Sequence, residues 1–260
     1  MRNPLSKKIV SVQPSGIRKF FDVANEMEDV ISLGVGEPDF DTPWRIREEG
    51  IFSLEKGRTF YTSNAGLIEL RTEICKYLER TIHVNYDPKK ETLITVGGSE
   101  AIDLALRCML DPGEEVLLPQ PSYVSYLPCT IMADGVPVIV ELKHENEFKL
   151  TVDDLKDKVT EKTKILVMPF PNNPTGSIMT KEDLEPIAKF VEEHDLFVIS
   201  DEIYSELSYK GDHVSIASLP GMRERTIVIN GFSKGFAMTG WRLGYCCGPQ
   251  VILKQMIKLH

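Results

Sequence analysis

Short apolar runs alternate along this chain with amphipathic segments, and this alternation restricts the fold more than any other feature of the sequence. Seven runs are rich in Val, Ile and Leu, as buried strands are: Leu93–Val96, Val116–Leu118, Val136–Val140, Ile165–Met168, Phe197–Ile199, Thr226–Ile229 and Leu243–Cys246. Three segments beside them have apolar residues three and four apart, as helices do: Leu67–Arg80, Glu100–Leu110 and Lys181–Glu193. The pattern predicts an α/β fold, with three α/β/α layers around a mostly parallel seven-stranded sheet. Because ligands of such sheets bind beyond the carboxyl ends of the strands, functional residues are expected there.

Composition and charge exclude several kinds of partner. The 260 residues include 30 Lys and Arg against 39 Asp and Glu, for a net charge of −9. This balance lacks the positive surface that nucleic acids require. No stretch approaches the ~20 apolar residues of a membrane-spanning helix, and the first ten residues are too polar for a signal peptide. We therefore expect no nucleic-acid or membrane partner and a cytoplasmic location.

The cysteines and histidines indicate neither a disulfide framework nor a metal site. The five cysteines are odd in number, lack C-x-x-C spacing and lie mostly in apolar segments, which is typical of reduced thiols. The five histidines are scattered singly along the chain. We expect no bound metal.

The two ends of the chain differ in pattern from its middle. Residues 1–44 contain a predicted helix at Ser15–Met27 and then the Gly-rich run LGVGEPDFDTP, and we interpret them as an arm. The last segment, Val251–His260, has a helical pattern without a C-cap glycine. We expect the chain to stop part-way through its architecture.

Two loops that follow predicted strands allow both a structural and a functional interpretation. Gly97–Glu100 (GGSE) leads from the first strand into a helix, where free N–H groups favour an anion. Ser99 acting as a plain N-cap explains the same motif. Pro169–Gly176 (PFPNNPTG) is a rigid loop whose Asn side chains either cap their own backbone or present a donor to a ligand.

The next two strands are followed by stronger signals. Asp201 follows the predicted strand Phe197–Ile199, and Tyr204 comes three residues later, so both could face one ligand, or Asp201 could cap a short helix. Lys234 lies between Phe232 and Phe236, where an unpaired ammonium is costly to desolvate. Asn, Asp, Tyr, Lys and Arg side chains recurring after consecutive strands indicate a cofactor site.

Four motifs, NPTG, DEIY, FSK and TGWRLGY, occur in this order and resemble those of the fold-type I pyridoxal-phosphate (PLP) aminotransferases of class I/II. The similarity is to the subgroup spanning aspartate and aromatic aminotransferases, and it runs from Ser32 to the end of the chain. It implies that residues 45–260 form a PLP-binding large domain and that residues 1–44 form an N-terminal arm and a portion of the small domain. Relatives continue beyond the position of His260 and there contribute an arginine for the substrate carboxylate, so the resemblance implies an incomplete small domain.

The resemblance assigns the catalytic roles to three residues. Lys234 would be the Schiff-base lysine that binds pyridoxal 5′-phosphate and then moves a proton. Asp201 would pair with the pyridine nitrogen of the cofactor. Tyr204, together with Asn173, would hydrogen-bond the phenolic oxygen of the cofactor.

The remaining site residues are also implied by the resemblance. The phosphate would be bound by backbone N–H groups and polar side chains: Gly98, Ser99, Glu100, Ser233 and Arg242. Tyr123 would stack on the cofactor ring, and Tyr61 would reach the phosphate of a neighbouring subunit, which implies a homodimer with shared active sites. Gly36 and Asn173 would bind the substrate.

The expected activity is transfer of an amino group from an L-amino acid to a 2-oxo acid. Two alternatives share the cofactor residues: a PLP-dependent β-lyase acting on cystathionine-like substrates, and a PLP-binding module without catalysis. A regulator built on this fold would need a basic DNA-binding extension, and Met1–Ser32 has neither the length nor the charge for one. A plain nucleotide-binding domain fits less well, because GGSE is neither a dinucleotide fingerprint nor a P-loop.

Overall fold

A seven-stranded sheet forms the centre of the computed structural model, which describes residues 2–14, 23, 27 and 36–260. The strands are β1 (Thr92–Thr95), β2 (Glu115–Gln120), β3 (Val136–Glu141), β4 (Thr163–Met168), β5 (Phe197–Asp201), β6 (Thr226–Gly231) and β7 (Gly244–Cys247). Their order is β1-β7-β6-β5-β4-β2-β3, and β7 runs antiparallel to both of its neighbours while the other pairs are parallel. The predicted mostly parallel, seven-stranded sheet is confirmed.

Each predicted apolar run overlaps one observed strand, and the bounds differ by at most two residues. The strands β2, β3, β5 and β6 end one or two residues later than predicted, and these four differences have a common cause. Strand hydrogen bonding continues past the last apolar residue, so that Asp201 pairs with Ile229 inside the sheet. The polar residue that was expected beyond β5 is therefore the last residue of the strand itself.

Eight α-helices lie among the described residues: α1 (Lys7–Ser11), α2 (Trp44–Glu55), α3 (Ile68–Ile82), α4 (Gly98–Met109), α5 (Tyr126–Met132), α6 (Val152–Lys156), α7 (Lys181–Glu193) and α8 (Gln250–Leu259). The bounds predicted for α7 are those observed, and its start is fixed by a capping box formed by Thr180 and Asp183. The helix predicted at Ser15–Met27 falls outside the described residues, apart from positions 23 and 27.

The two faces of the sheet are covered by different helices. Ile165 and Val167 of β4 belong to a buried cluster that includes residues of α4 and α8. Leu166 and Met168 belong to a second cluster, which includes residues of α6 and α7. Because successive side chains of a strand point to opposite faces, the helices form a layer on each side of the sheet. The three-layer α/β/α prediction is confirmed.

The five cysteines are free thiols.

Among the residues that the structure describes, no helix has both the length and the apolar character needed to cross a lipid bilayer.

Candidate active site

A cavity of about 240 Å³ lies where β4, β5 and β6 end and α4 begins. It is lined by nine of the site residues expected from the sequence: Gly98, Ser99, Tyr123, Asn173, Asp201, Tyr204, Ser233, Lys234 and Arg242. A larger cleft of about 630 Å³ lies between α3 and the segment after β5, and none of these nine residues lines it. The chemistry that the motifs indicate is therefore concentrated in the smaller cavity.

Asp201 is a buried carboxylate at this cavity, and each of its two side-chain oxygens accepts a hydrogen bond. Tyr126 Oη donates to Oδ2 at 2.7 Å, and the backbone N–H of Ile203 donates to Oδ1 at 3.3 Å. Burial raises the pKa of Asp201 from 3.8 to about 6, and the charge of Glu202 adds to this, while the bond from Tyr126 opposes it. The bond from the Ile203 N–H belongs to a local turn, because the short helix that follows, Ser205–Leu207, has Tyr204 at its N-cap and no side-chain cap. The capping interpretation of Asp201 is therefore wrong.

Tyr126 is a site residue that sequence reasoning missed. It lies in α5, is only 3% exposed, and packs edge-on against Tyr123 with ring centroids 5.8 Å apart. The only signal in the sequence is its spacing of three residues from Tyr123, which is compatible with a shared helical face. That spacing does not reveal the hydrogen bond to Asp201, because the partner lies 75 residues further along the chain.

Lys234 follows β6 and is half-buried. Its Nζ donates to the carbonyl oxygen of Gly36 at 2.7 Å and lies 5.7 Å from the centroid of the Tyr204 ring. Burial lowers the pKa of Lys234, although the nearby charge of Glu37 opposes this. A lowered pKa favours the neutral amine, which is the nucleophilic form.

The loop Pro169–Gly176 contains two amide side chains, and each of them fits one of the two interpretations. Asn172 Oδ1 accepts bonds from the backbone N–H and the hydroxyl of Thr175, so this side chain stabilises the turn. Asn173 Nδ2 donates to Tyr204 Oη at 3.3 Å at the cavity. Burial raises the pKa of Tyr204 and the charge of Asp201 adds to this, whereas the bond from Asn173 lowers it.

The start of α4, together with Gly97, Gly244 and Arg242, forms a concave site that we call the cup. A Cβ atom on either glycine would collide with its neighbours. A Cβ on Gly97, whose φ is +85°, would lie 2.5 Å from Arg242 Nη2, and one on Gly244 would lie 2.5 Å from the carbonyl carbon of Gly97. Gly97 occupies the N-cap position, and no side chain caps the helix. The first N–H groups of α4 are thus left for an anion beside the guanidinium of Arg242.

The N-cap interpretation of Ser99 is wrong, because α4 begins one residue earlier, at Gly98. Ser99 Oγ instead lies 3.4 Å from Tyr123 Oη. The Glu100 side chain turns away from the cavity, since it accepts bonds from the Val96 N–H and from His260 Nδ1. Only its backbone N–H is available to the cup.

Three expected site residues are not part of the cavity lining: Glu100, Gly36 and Tyr61. Gly36 lies beside the cavity and has a φ of +64°. Its carbonyl oxygen accepts a hydrogen bond from Lys234, and a Cβ built on it would lie 3.9 Å from Tyr204 Oη. Tyr61 is fully exposed. Its side chain is therefore free to contact another molecule.

Comparison with known proteins matches this site to a family. The sequence profile described as "Aminotransferase class I and II" covers residues 28–260. The chain belongs to this family. Class I and II aminotransferases depend on PLP.

Two curated relatives are similar over almost the whole chain. The aspartate aminotransferase of Pyrococcus abyssi is 53% identical over 257 residues, and the aromatic-amino-acid aminotransferase 2 of Thermococcus litoralis is 49% identical over 257 residues. Each match covers 98% of this chain and 66% of the relative. The chain thus spans just under two thirds of the length of these relatives.

Solved structures of aminotransferases agree with the fold. The aspartate aminotransferase of Thermus thermophilus with maleate is 39% identical and superposes with a TM-score of 0.94 over 100% of this chain and 68% of that one. The aromatic aminotransferase of Pyrococcus horikoshii is 51% identical, with a TM-score of 0.87 over 92% of this chain and 64% of that one.

The donor set of the cavity fits PLP. The cup offers N–H groups and a guanidinium to a phosphate, and Cβ atoms at Gly97 or Gly244 would fill it. A buried carboxylate, Asp201, suits a protonated ring nitrogen, and an amine of lowered pKa, Lys234, suits an aldehyde. The three groups line one cavity, as a single small cofactor requires.

Proposed function

We propose that this chain acts as a PLP-dependent aminotransferase, which transfers an amino group from an L-amino acid to a 2-oxo acid. The observation that supports this most directly is that the Lys234 amine, the Asp201 carboxylate and the Arg242 cup line the same cavity. The names of the relatives agree with it. In this proposal residues 45–260 are the cofactor-binding large domain, and residues 1–44 are the arm and a portion of the small domain.

Lys234 and Asp201 carry out the chemistry in this proposal. When bound, PLP supplies the electron sink that stabilises negative charge at the substrate Cα. Lys234 Nζ would hold the cofactor covalently through its aldehyde until the amine of the substrate displaces it. The freed Lys234 amine would then take the proton from the substrate Cα and deliver it to the cofactor carbon that carried the aldehyde. The Asp201 carboxylate, fixed by Tyr126, stabilises a positive charge at the ring nitrogen.

The remaining polar residues orient the reactants. Tyr204 and Asn173, already bonded to each other, donate to the phenolic oxygen of the cofactor. The phosphate is held by Arg242, Ser233 and the N–H groups of Gly98, Ser99 and Glu100. Tyr123 stacks on the ring. The Gly36 N–H and Asn173 bind the substrate carboxylate.

The proposal includes a homodimer in which Tyr61 reaches the phosphate site of the partner copy. Its support is a run of exposed large apolar side chains around Tyr61: Phe40, Trp44, Ile51, Phe52, Leu54, Phe60, Leu67 and Ile68. We place the activity in the cytoplasm, because the five free cysteines suit a reducing compartment.

Reductive trapping tests the proposed covalent attachment. The chain is incubated with PLP, reduced with borohydride, digested and analysed by mass spectrometry, with Lys234→Ala and Lys254→Ala variants in parallel. We expect the label on Lys234 in the parent and in Lys254→Ala, and no label at the cavity in Lys234→Ala. A label confined to other lysines would contradict the assignment.

Spectral conversion of bound PLP tests the reaction type. Adding an L-amino acid should shift the absorbance of the loaded chain to that of the amine form, and a 2-oxo acid should reverse the shift. Release of pyruvate and ammonia from cystathionine without an added 2-oxo acid would instead support the β-lyase. Binding of PLP without either reaction would support a module that only binds the cofactor.

A further inference from the structure

Two segments that are remote in sequence are joined beside the proposed active site. We call residues 36–43 the strap and residues 234–242 the lysine loop. The strap contacts the loop at three places: the Gly36 carbonyl accepts from Lys234 Nζ at 2.7 Å, Glu37 Oε1 accepts from Thr239 Oγ1 at 2.9 Å, and Thr42 contacts Ala237 and Trp241.

The Thr42 contact is the buried one of the three. Thr42 is 8% exposed, and its hydroxyl donates to the Ala237 carbonyl at 2.5 Å while accepting from Trp241 Nε1 at 3.1 Å. Ala237 has a φ of +50°, a left-handed conformation that is uncommon for a residue with a side chain. One hydroxyl thereby satisfies a buried carbonyl of the loop and a ring N–H at its far end.

The other two contacts are weaker as permanent links. The bond between Glu37 and Thr239 is exposed, so water competes for both groups. The bond from Lys234 uses the amine that the proposed function assigns to the cofactor, and that amine cannot serve both partners throughout the reaction. The Thr42 contact can therefore hold the strap on the loop throughout the reaction, including when Lys234 Nζ no longer bonds to the Gly36 carbonyl.

We propose that Thr42 is a positioning residue, whose hydroxyl holds the strap on the lysine loop and so sets the position of Gly36 relative to Lys234. This inference rests on the proposed function, in which the Gly36 N–H binds the substrate carboxylate. Without the hydroxyl, the Ala237 carbonyl and the Trp241 N–H lose their partner and the strap loses its buried link. Substrate binding, rather than cofactor attachment, is the step that then suffers.

The test compares Thr42→Val, which has nearly the same shape but no hydroxyl, with Thr42→Ser, which keeps the hydroxyl. Both are studied as the full chain loaded with PLP. For Thr42→Val we expect hydrogen exchange of the strap amides to rise about tenfold, the size of effect that follows from losing one buried hydrogen bond. The amino-acid concentration that half-saturates the spectral conversion should also rise about tenfold, with a limiting rate within about threefold of the parent.

The Thr42→Ser variant should restore both measurements to within about twofold of the parent. The proposal is overturned by parent-like strap exchange and half-saturation in Thr42→Val, or by Thr42→Ser being as impaired as Thr42→Val, which would indicate packing by the methyl group. Trapping on Lys234 in all three proteins shows that each is folded and loaded. If the parent itself converts no amino acid, the proposed function fails, while strap exchange still decides whether Thr42 holds the strap.

Discussion

Asp201 is buried, which disfavours a charged side chain, yet the proposed function requires its charged form. Its burial disfavours the carboxylate form, while donation from Tyr126 and from the Ile203 N–H supports that form. A cationic ring nitrogen would supply the missing opposite charge. The residue is therefore poised to be stabilised by the ligand it is proposed to bind, which is common in functional sites.

The raised pKa of Asp201 predicts how the stability of the cofactor-free chain depends on pH. Between pH 3.8 and about 6 the folded state holds a proton at Asp201 that the unfolded state has released. This group therefore stabilises the fold at low pH, and the stabilisation is lost as pH rises through about 6. The contribution is at most about 3 kcal/mol, from the size of the pKa shift.

Comparison with Asp201→Asn isolates this contribution, because the variant lacks the titrating group. The free energy of unfolding of the parent, minus that of the variant, should fall as pH rises from 4 to 6 and stay level above 7, as measured by urea denaturation. A difference that is constant across this range, or that rises with pH, would contradict the raised pKa.

At the scale of single elements, the site depends on where strands end and one helix begins. The start of β7, at Gly244, lies beside the end of β1. The backbones approach so closely there that a Cβ on Gly244 would collide with the backbone of Gly97. The same approach brings Arg242 over the uncapped first turn of α4. The anion cup is thus a product of strand pairing as much as of the GGSE motif.

Gly244→Ala tests this role of close approach. The new Cβ would lie 2.5 Å from the Gly97 carbonyl carbon and 2.7 Å from the Gly98 nitrogen, so the start of α4 must move. We expect a loss of about 1–3 kcal/mol in stability from overpacking, and an affinity for PLP reduced about tenfold or more because donors to the phosphate are displaced.

Gly98→Ala is the matched control. Its Cβ would lie 3.5 Å from Ile229 Cγ2, an ordinary contact, and alanine favours a helix. Its PLP affinity, measured by titration of the cofactor absorbance, should stay within about threefold of the parent, since its backbone N–H is retained. Equal affinities for the two variants would show that the close approach does not shape the cup.

At the scale of the whole molecule, the exposed apolar residues between positions 40 and 68 are concentrated in and around α2. In the proposed homodimer they are covered by the partner copy, and Tyr61 enters the partner's site. Removing these side chains from water is favourable in proportion to their area, so the dimer is expected to be stabilised mainly by apolar burial.

Ile51→Glu tests this face by placing a charge at a half-exposed position of α2. Burying an unpaired carboxylate is costly, so the variant should shift from dimer to monomer in sedimentation velocity and should bind PLP more weakly. Val251→Glu, a substitution at an exposed apolar residue of α8, is the control and should leave the mass unchanged. A dimeric Ile51→Glu variant would place the interface elsewhere.

Local pattern predicted most of the fold, because apolar runs, caps and helical spacing are properties of neighbouring residues. The start of α7 follows from Thr180 and Asp183, and the placement of Asp201 and Lys234 follows from strands ending beside them. Asn173, Arg242 and the GGSE glycines were predicted on the same grounds and by resemblance to the family. The antiparallel direction of β7 was not predicted, since strand direction leaves no mark in a short apolar run.

The sequence alone determined which residue types stand at the ends of the strands, and therefore which chemistry the chain can support. Only the tertiary structure decided which of them meet. Tyr126 and Asp201 are 75 residues apart, and Thr42 and Ala237 are 195 apart, so no periodicity along the chain encodes either hydrogen bond. Tyr126 meets Asp201 because the parallel strands of the sheet bring their carboxyl ends to one edge. Thr42 meets Ala237 because the strap packs on the loop that follows β6 at that same edge, so in both cases distance in space no longer depends on distance in sequence.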